Sequence, residues 1–243
     1  MPDSRAIGFI YPDHAAEDDY PLAERMLGDG TRLAVEHIYG TDLHAVEELL
    51  DLGSPKRLTQ GAQLLSRHRP SAVVWACTSG SFVYGWEGAQ EQVASLSEAA
   101  GGLPASSTSF AFVHAARALG LRRVAVAASY PDDVAKLFVE FLAAGGVDVV
   151  GMSSADIDTA AEVGRLSPQE VVELVAQRDR ADADALLVPD TAMRTVALVE
   201  AIEQRLSKPV LTANQVTVWE GLRLTGAARD VAGLGALFNG KVA

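Results

Sequence analysis

Short runs of apolar residues alternate along the chain with longer segments in which apolar positions recur every three or four residues. The runs predict β-strands at Ala6–Ile10, Leu33–Ile38, Ala72–Ala76, Val124–Ala128, Val147–Met152, Ala185–Val188 and Val210–Thr212. The periodic segments predict helices at Leu43–Leu50, Arg57–His68, Glu87–Ala100, Phe110–Leu119, Asp132–Ala144, Pro168–Arg180, Thr195–Leu206 and Val216–Leu224. Short apolar strands that alternate with helices are typical of parallel sheets covered on both faces. The pattern therefore predicts an α/β protein.

The chain also repeats part of its own sequence. Three pairs of segments correspond in the same order: Ile7–Asp13 with Val124–Asp132, Val73–Thr78 with Leu186–Thr191, and Leu103–Thr108 with Lys208–Ala213. The period is too long for a solenoid. We therefore predict two lobes related by a pseudo-twofold axis, each a short parallel β-sheet flanked by helices, with the active site in the cleft between them.

The repeat also predicts the extent of each lobe. Residues 1–113 and 216–243 form lobe 1, and residues 114–215 form lobe 2. Parallel α/β sheets place their ligand-binding loops at the carboxyl ends of the strands. Cys77 of lobe 1 and Asp190 of lobe 2 occupy corresponding strand ends, so we expect them to face each other across a ligand.

The segment from Cys77 to Ser81 follows a buried strand and precedes a helical stretch. Its hydroxyls, its glycine and its backbone N–H groups are suited to binding an anion. A helix N-terminus at this point would lower the pKa of the thiol. A buried structural cysteine explains Cys77 equally well.

Asp190 and Thr191 have a simpler explanation as the N-cap of the next predicted helix. That explanation does not exclude a catalytic role for Asp190. Tyr130 is a candidate hydrogen-bond donor at the third loop, and an ordinary half-buried tyrosine is the alternative.

Composition and charge narrow the classes of partner. The chain is 49% apolar and 21% charged, and its formal net charge is −12, which argues against nucleic acid and anionic membranes as partners. No apolar run approaches the about 18 residues of a membrane-spanning helix. Met1–Arg5 is polar and the apolar run after it is too short for a signal peptide. A single cysteine excludes an intrachain disulfide and favours a reducing cytoplasm. A homo-oligomer is possible on general grounds.

No cofactor or metal is expected. The chain has no dinucleotide-binding, phosphate-loop or zinc-protease motif, and its five histidines lack zinc-ligand spacing. His14 lies near Glu17, Asp18 and Asp19, and we interpret this stretch as the solvated acidic start of a helix.

Three separated segments resemble the maleate isomerase and arylmalonate decarboxylase branch of the aspartate/glutamate racemase superfamily. They are Cys77–Phe82, Arg122–Asp133 and Lys208–Trp219. The resemblance covers nearly the whole chain. It implies a cofactor-independent enzyme acting on a small carboxylate, with an acid or base from each lobe.

The match to the branch is incomplete in two places. The resemblance implies a cysteine in each lobe, whereas this chain has Cys77 in the first and Asp190 in the second. The Tyr11–Ala15 loop lacks the asparagine of a maleate isomerase and is more similar to the decarboxylases. The resemblance further implies that the substrate is bound by Thr78, Ser79, Tyr130, Thr191, Ala192, Tyr11 and Pro12.

Three functions remain open. The first is a racemase or cis–trans isomerase in which Cys77 and Asp190 form an opposing acid/base pair. The second is a decarboxylase with Cys77 as the proton donor, and the third is a small-carboxylate-binding protein in which Asp190 is only a cap. Two like charges disfavour each other's ionised forms, so Asp190 would also repel a dianionic ligand. Arg194 is the candidate to offset that charge.

Overall fold

Two separate parallel sheets of four strands each carry the fold. The computed structural model describes residues 6–240. The first sheet has the order β2-β1-β3-β4, and the second has the order β6-β5-β7-β8. The strands are β1 (Ala6–Pro12), β2 (Arg32–Ile38), β3 (Val73–Trp75), β4 (Ala105–Ser107), β5 (Arg123–Ala128), β6 (Asp148–Ser154), β7 (Ala185–Val188) and β8 (Val210–Thr212). All neighbouring strands are parallel, so the predicted α/β class with two flanked parallel sheets is confirmed.

Helices follow most of the strands and cover both sheets. They are α1 (Asp19–Leu27), α2 (Val46–Leu52), α3 (Pro55–Leu65), α4 (Ser79–Phe82), α5 (Gly85–Ala99), α6 (Thr108–Ala118), α7 (Asp132–Ala144), α8 (Ala160–Gly164), α9 (Pro168–Ala176), α10 (Val199–Leu206), α11 (Ala213–Leu224) and α12 (Ala236–Asn239). Two 3-10 turns lie at Ser66–His68 and Val196–Leu198. The described residues contain no helix that is long and apolar enough to span a membrane.

The two sheets share one strand order, which is what the sequence repeat requires. Helix α11 follows β8 of the second sheet, yet it packs on β1, β3 and β4 of the first. This packing agrees with assigning the end of the chain to lobe 1. The predicted boundaries at residues 113 and 216 remain a prediction, and the segment Met1–Arg5 lies outside the described residues.

The stretch near His14 was interpreted as the solvated acidic start of a helix, and for Asp19, the first residue of α1, this interpretation was wrong. Asp19 is only 4% exposed. Its carboxylate accepts hydrogen bonds from the backbone N–H groups of Thr195 (3.0 Å) and Val196 (3.3 Å) and from the Asn214 amide (2.9 Å). A buried carboxylate with three donors is well satisfied. Asp19 therefore ties the first lobe to the second and is not solvated.

Candidate active site

A pocket lies where the carboxyl ends of strands from both sheets meet. Strands β1, β3 and β7 end at its edge, and it is lined by Tyr11, Pro12, Asp13, His14, Ala15, Thr41, Asp42, His44, Leu49, Leu52, Cys77, Ser79, Ala160, Asp190, Thr191 and Ala192. Seven of the nine predicted site residues belong to this lining. The other two, Thr78 and Tyr130, are buried and do not belong to it.

Cys77 leaves strand β3 and contributes its thiol to the pocket. Its Sγ accepts the backbone N–H of Gly80 at 3.3 Å and lies 3.8 Å from the Ser79 hydroxyl. Burial raises the pKa of the Cys77 thiol to about 11; the N–H of Gly80 and the Ser79 hydroxyl lower it, and the charge of Asp190 raises it further. The expectation of a lowered pKa was wrong, because α4 is a single turn and burial outweighs its N–H groups. The thiol is therefore protonated near neutral pH.

Asp190 contributes its carboxylate to the same pocket from the end of β7 and is 3% exposed. One carboxylate oxygen accepts the backbone N–H of Ala192 at 2.8 Å, and the other accepts the hydroxyl of Ser129. The predicted helix after Asp190 does not begin there: the chain makes a turn, and α10 starts at Val199. Asp190 is therefore not the N-cap of an α-helix.

Ser129 was missed by the sequence analysis. In the repeat it corresponds to Ile10, so a hydroxyl replaces an aliphatic residue at the end of an otherwise apolar strand. That substitution was the available signal, because a polar group at a buried strand end needs a partner.

Two buried tyrosines hold the loop that carries Asp190. The Tyr11 hydroxyl donates to the Thr191 carbonyl at 2.8 Å, and the Tyr130 hydroxyl donates to the Pro189 carbonyl at 2.7 Å. Burial raises the pKa of both phenols well above their ordinary value, so both are neutral. Near them, the buried Thr78 hydroxyl has no hydrogen-bond partner within residues 6–240.

Two segments, residues 41–44 of the first lobe and 157–161 of the second, meet in an antiparallel contact beside the pocket; we call them the roof. The contact comprises a β-bridge between Leu43 and Thr159 and backbone hydrogen bonds from Ala160 to Asp42 (2.9 Å) and from His44 to Asp158 (2.8 Å). Thr41, Asp42, His44 and Ala160 of the roof line the pocket. Both lobes thus close over the same space.

The charge of the lining is negative. It includes Asp13, Asp42 and Asp190, and within the described residues it includes no lysine or arginine. Arg194 was expected to offset this charge. Its guanidinium instead pairs with Asp18 (2.8 Å), and it is not part of the lining, so that expectation was wrong.

The fold brings His37 to His14 and Glu17 at the pocket mouth, with possible ligand atoms within 4.8 Å of one another. The two imidazole rings are stacked, with centroids 4.0 Å apart and planes inclined at 28°. A bound metal ion lies in the plane of each imidazole that ligates it. Stacked rings therefore do not direct their nitrogens at a common ion.

Known proteins match this chain along most of its length. Residues 31–238 match the family model described as arylmalonate decarboxylase. Arylmalonate decarboxylase of Bordetella bronchiseptica is 29% identical over 96% of each chain. Maleate isomerase of Geobacillus stearothermophilus is 27% identical over 87% of this chain and 83% of its own.

Solved structures show the same fold. Maleate isomerase of Pseudomonas putida S16, solved with maleate, superposes with a TM-score of 0.88 at 23% identity over 97% of this chain and 98% of its own. A maleate cis–trans isomerase variant of Nocardia farcinica, solved with a covalently bound succinylcysteine intermediate, gives 0.86 at 22% identity over 98% and 99%. A liganded arylmalonate decarboxylase variant, with a glycine changed to cysteine and a cysteine to serine, gives 0.85 at 26% identity over 98% and 100%.

Proposed function

The chain belongs to the arylmalonate decarboxylase family, and on this premise we propose that it is a cofactor-independent racemase or cis–trans isomerase of a small carboxylic or dicarboxylic acid. Its relatives identify it as an isomerase or a carboxy-lyase. The observation that carries the proposal is a pair of proton-transfer groups, the Cys77 thiol and the Asp190 carboxylate, that come from opposite lobes and line one pocket.

For cis–trans isomerisation, the S–H of Cys77 would add across the double bond, the resulting single bond would rotate, and elimination would restore both the double bond and the thiol. For racemisation, the proposed step moves one proton off the substrate and another on. Asp190 accepts the proton next to the substrate carboxylate, and the Cys77 thiol donates its own proton to the opposite face of the same carbon. The step leaves a carboxylic acid at Asp190 and a thiolate at Cys77, and proton exchange with solvent after product release, or the reverse step, restores both. The Ser79 hydroxyl and the backbone N–H of Thr191, both from residues that line the pocket, are the donors we assign to the carboxylate as negative charge develops on it.

Decarboxylation is the second candidate. It is supported by the 29% identity to the arylmalonate decarboxylase of Bordetella bronchiseptica and by the likeness to a decarboxylase variant in which a glycine is changed to cysteine and a cysteine to serine. In this mechanism the carbanion left by loss of CO₂ takes its proton from Cys77, and Asp190 only fixes its loop.

Proton NMR in D₂O tests the proposal directly. The panel comprises maleate, chiral 2-substituted acids and 2-aryl or 2-alkyl malonates, each with the wild-type protein and with Cys77→Ala. Deuterium at the α-carbon without loss of CO₂, or a cis–trans change, would support the isomerase. Loss of one carboxyl group with delivery of one deuteron would support the decarboxylase instead. Absence of any Cys77-dependent change would contradict both.

Asp190→Asn separates the two enzymatic mechanisms. The amide keeps an oxygen for the Ala192 N–H but cannot accept the substrate proton. We expect kcat/KM for isomerisation to fall at least about 100-fold, the range for loss of a general base, while decarboxylation changes only a few-fold. An equal loss in both assays would show that Asp190 supports the structure of the site and not the proton transfer.

A further inference from the structure

The roof places an imidazole inside the pocket. His44 is 7% exposed and lines the same space as Cys77 and Asp190. His44 belongs to lobe 1, and its backbone N–H donates a hydrogen bond to the Asp158 carbonyl of lobe 2 at 2.8 Å. The proposed proton transfer does not use this ring.

The surroundings of His44 fix the orientation of the ring and the position of its protons. Nδ1 lies 3.0 Å from the carbonyl oxygen of Ile157, and because a carbonyl only accepts, Nδ1 carries a hydrogen. The ring also packs edge-on against Tyr130, with centroids 5.0 Å apart and planes at 90°. Nε2 is therefore the ring nitrogen left for a ligand.

The lining of the pocket is rich in carboxylates, so the Nε2 atom of His44 is a potential donor to an anionic ligand. Asp13, Asp42 and Asp190 can only accept hydrogen bonds when ionised, and within the described residues no lysine or arginine lines the pocket. The other imidazole of the lining, His14, has a 64% exposed side chain that is paired with Glu17. A second carboxylate on the substrate thus has one enclosed side chain that can carry a positive charge, the His44 imidazole.

We propose that His44 is a specificity-determining residue that binds the distal carboxylate of a small dicarboxylic acid through Nε2. This inference rests on the proposed function, since it concerns a ligand whose first carboxylate lies at the Cys77 and Thr191 loops. With a hydrogen on both ring nitrogens, His44 would donate a hydrogen bond to that carboxylate, and its positive charge would offset the neighbouring carboxylates, which otherwise repel a dianion.

Two isosteric variants distinguish ligand binding from a structural role. His44→Asn places an amide nitrogen near the position of Nδ1, so it retains the bond to Ile157 and loses the distal donor. His44→Gln places its amide nitrogen near the position of Nε2, so it retains a donor to the ligand and loses the bond to Ile157. If His44 has only a structural role, His44→Asn should behave like the wild-type protein. If His44 binds the ligand, His44→Gln should retain ligand binding better than His44→Asn.

The measurement is the dissociation constant of succinate and of its monoamide, succinamate, by isothermal titration calorimetry. We expect the wild-type protein to bind succinate at least about 10-fold more tightly than succinamate, as for loss of one charge-assisted hydrogen bond. In His44→Asn this preference should fall to less than about 2-fold with little change for succinamate, and His44→Gln should retain part of it. Circular dichroism and thermal unfolding would establish that both variants are folded.

A wild-type protein that does not prefer or does not bind succinate would overturn the inference. The same holds if His44→Asn keeps the preference, or if His44→Gln loses it as completely as His44→Asn does. The two proposals fail separately. Cys77-dependent deuterium exchange with no effect of His44 would remove only this inference, whereas a His44-dependent preference without turnover would remove the proposed reaction and leave the binding role.

Discussion

The protonation state of Cys77 follows from its burial and can be tested by its reactivity. Alkylation requires the thiolate, and the pKa of Cys77 is raised by burial to about 11. We expect iodoacetamide to modify Cys77 roughly 100-fold more slowly than free cysteine near neutral pH, with a rate that rises up to the pKa. Because Cys77 is the one cysteine of the chain, intact mass spectrometry measures a single site.

Asp190→Asn serves as the matched comparison for this reactivity. The charge of Asp190 contributes to the raised pKa of Cys77, so its removal should lower that pKa and speed alkylation at a fixed pH. Slower alkylation in the variant, or a rate independent of pH in the wild-type protein, would contradict the assigned electrostatics.

At this scale the sequence predicts the two residues at corresponding strand ends, Cys77 and Asp190, because parallel strands deliver their ends to one edge. It does not predict His44 or Ser129. Their partners, Ile157 and Asp190, are 113 and 61 residues away along the chain, so the contacts exist only once the roof and the second sheet have formed.

Gly53, between helices α2 and α3, packs against the backbone of α4, the helix that follows Cys77. A Cβ at this position would lie 2.0 Å from the backbone oxygen of Gly80 in α4, directly beside the Cys77 loop. We expect Gly53→Ala to lower the free energy of unfolding by about 1–3 kcal/mol, as overpacking does, and to reduce kcat by moving α4. Urea unfolding and steady-state kinetics measure the two effects.

Gly164→Ala in α8 is the control, because the nearest atoms to its Cβ are at ordinary contact distance, 3.4 Å. We expect a change of less than about 0.5 kcal/mol there. Similar losses in both variants would show that the contact with Gly80 is not the cause.

Strand β4 shows why some elements could not be predicted. Its sequence, Ala-Ser-Ser, has no apolar run, and it forms a strand because it pairs with β3. Its buried hydroxyls find side-chain partners: Ser106 donates to Glu220 at 2.6 Å, and Ser107 lies 2.9 Å from the Ser81 hydroxyl. Strands of this kind are specified by tertiary contacts and not by local pattern.

Glu220 makes the stability of the whole molecule depend on pH. Burial alone would raise the pKa of Glu220, but hydrogen bonds from Arg223, His114 and Ser106 lower it from 4.5 to about 2. A depressed pKa stabilises the fold above the unfolded value, and that stability is lost as the pH falls from about 4.5 towards 2. We expect Glu220→Gln to be less stable than the wild type at pH 7 and to lose less stability on acidification.

Urea unfolding at neutral and acidic pH measures this dependence. Asp182→Asn is the control: it removes an exposed carboxylate paired with exposed arginines and should change the profile little. An unchanged acid dependence in Glu220→Gln would mean that other carboxylates dominate.

For the whole molecule, the internal repeat was sufficient to predict two parallel sheets and a pocket between them. The Tyr-Pro-Asp turn and the polar residues after the strand occur twice in the same order, so the two-lobed architecture could be predicted from sequence, whereas the strand order of each sheet was not. The return of the chain to the first lobe at residues 216–243 stays a prediction, and the packing of α11 on β1, β3 and β4 of the first sheet agrees with it.

The duplicated architecture holds two chemically different groups at equivalent strand ends, and this difference has a kinetic consequence. In the proposed racemisation of a pair of enantiomers, one direction would use Asp190 as the base and the other would use the thiolate of Cys77. Mirror-image substrates have equal free energies, so the Haldane relation fixes the same kcat/KM for both. Their individual kcat and KM values are free to differ, and so are their primary deuterium isotope effects. The two lobes therefore share one backbone architecture, while the two enantiomers would differ in their kcat values, KM values and isotope effects.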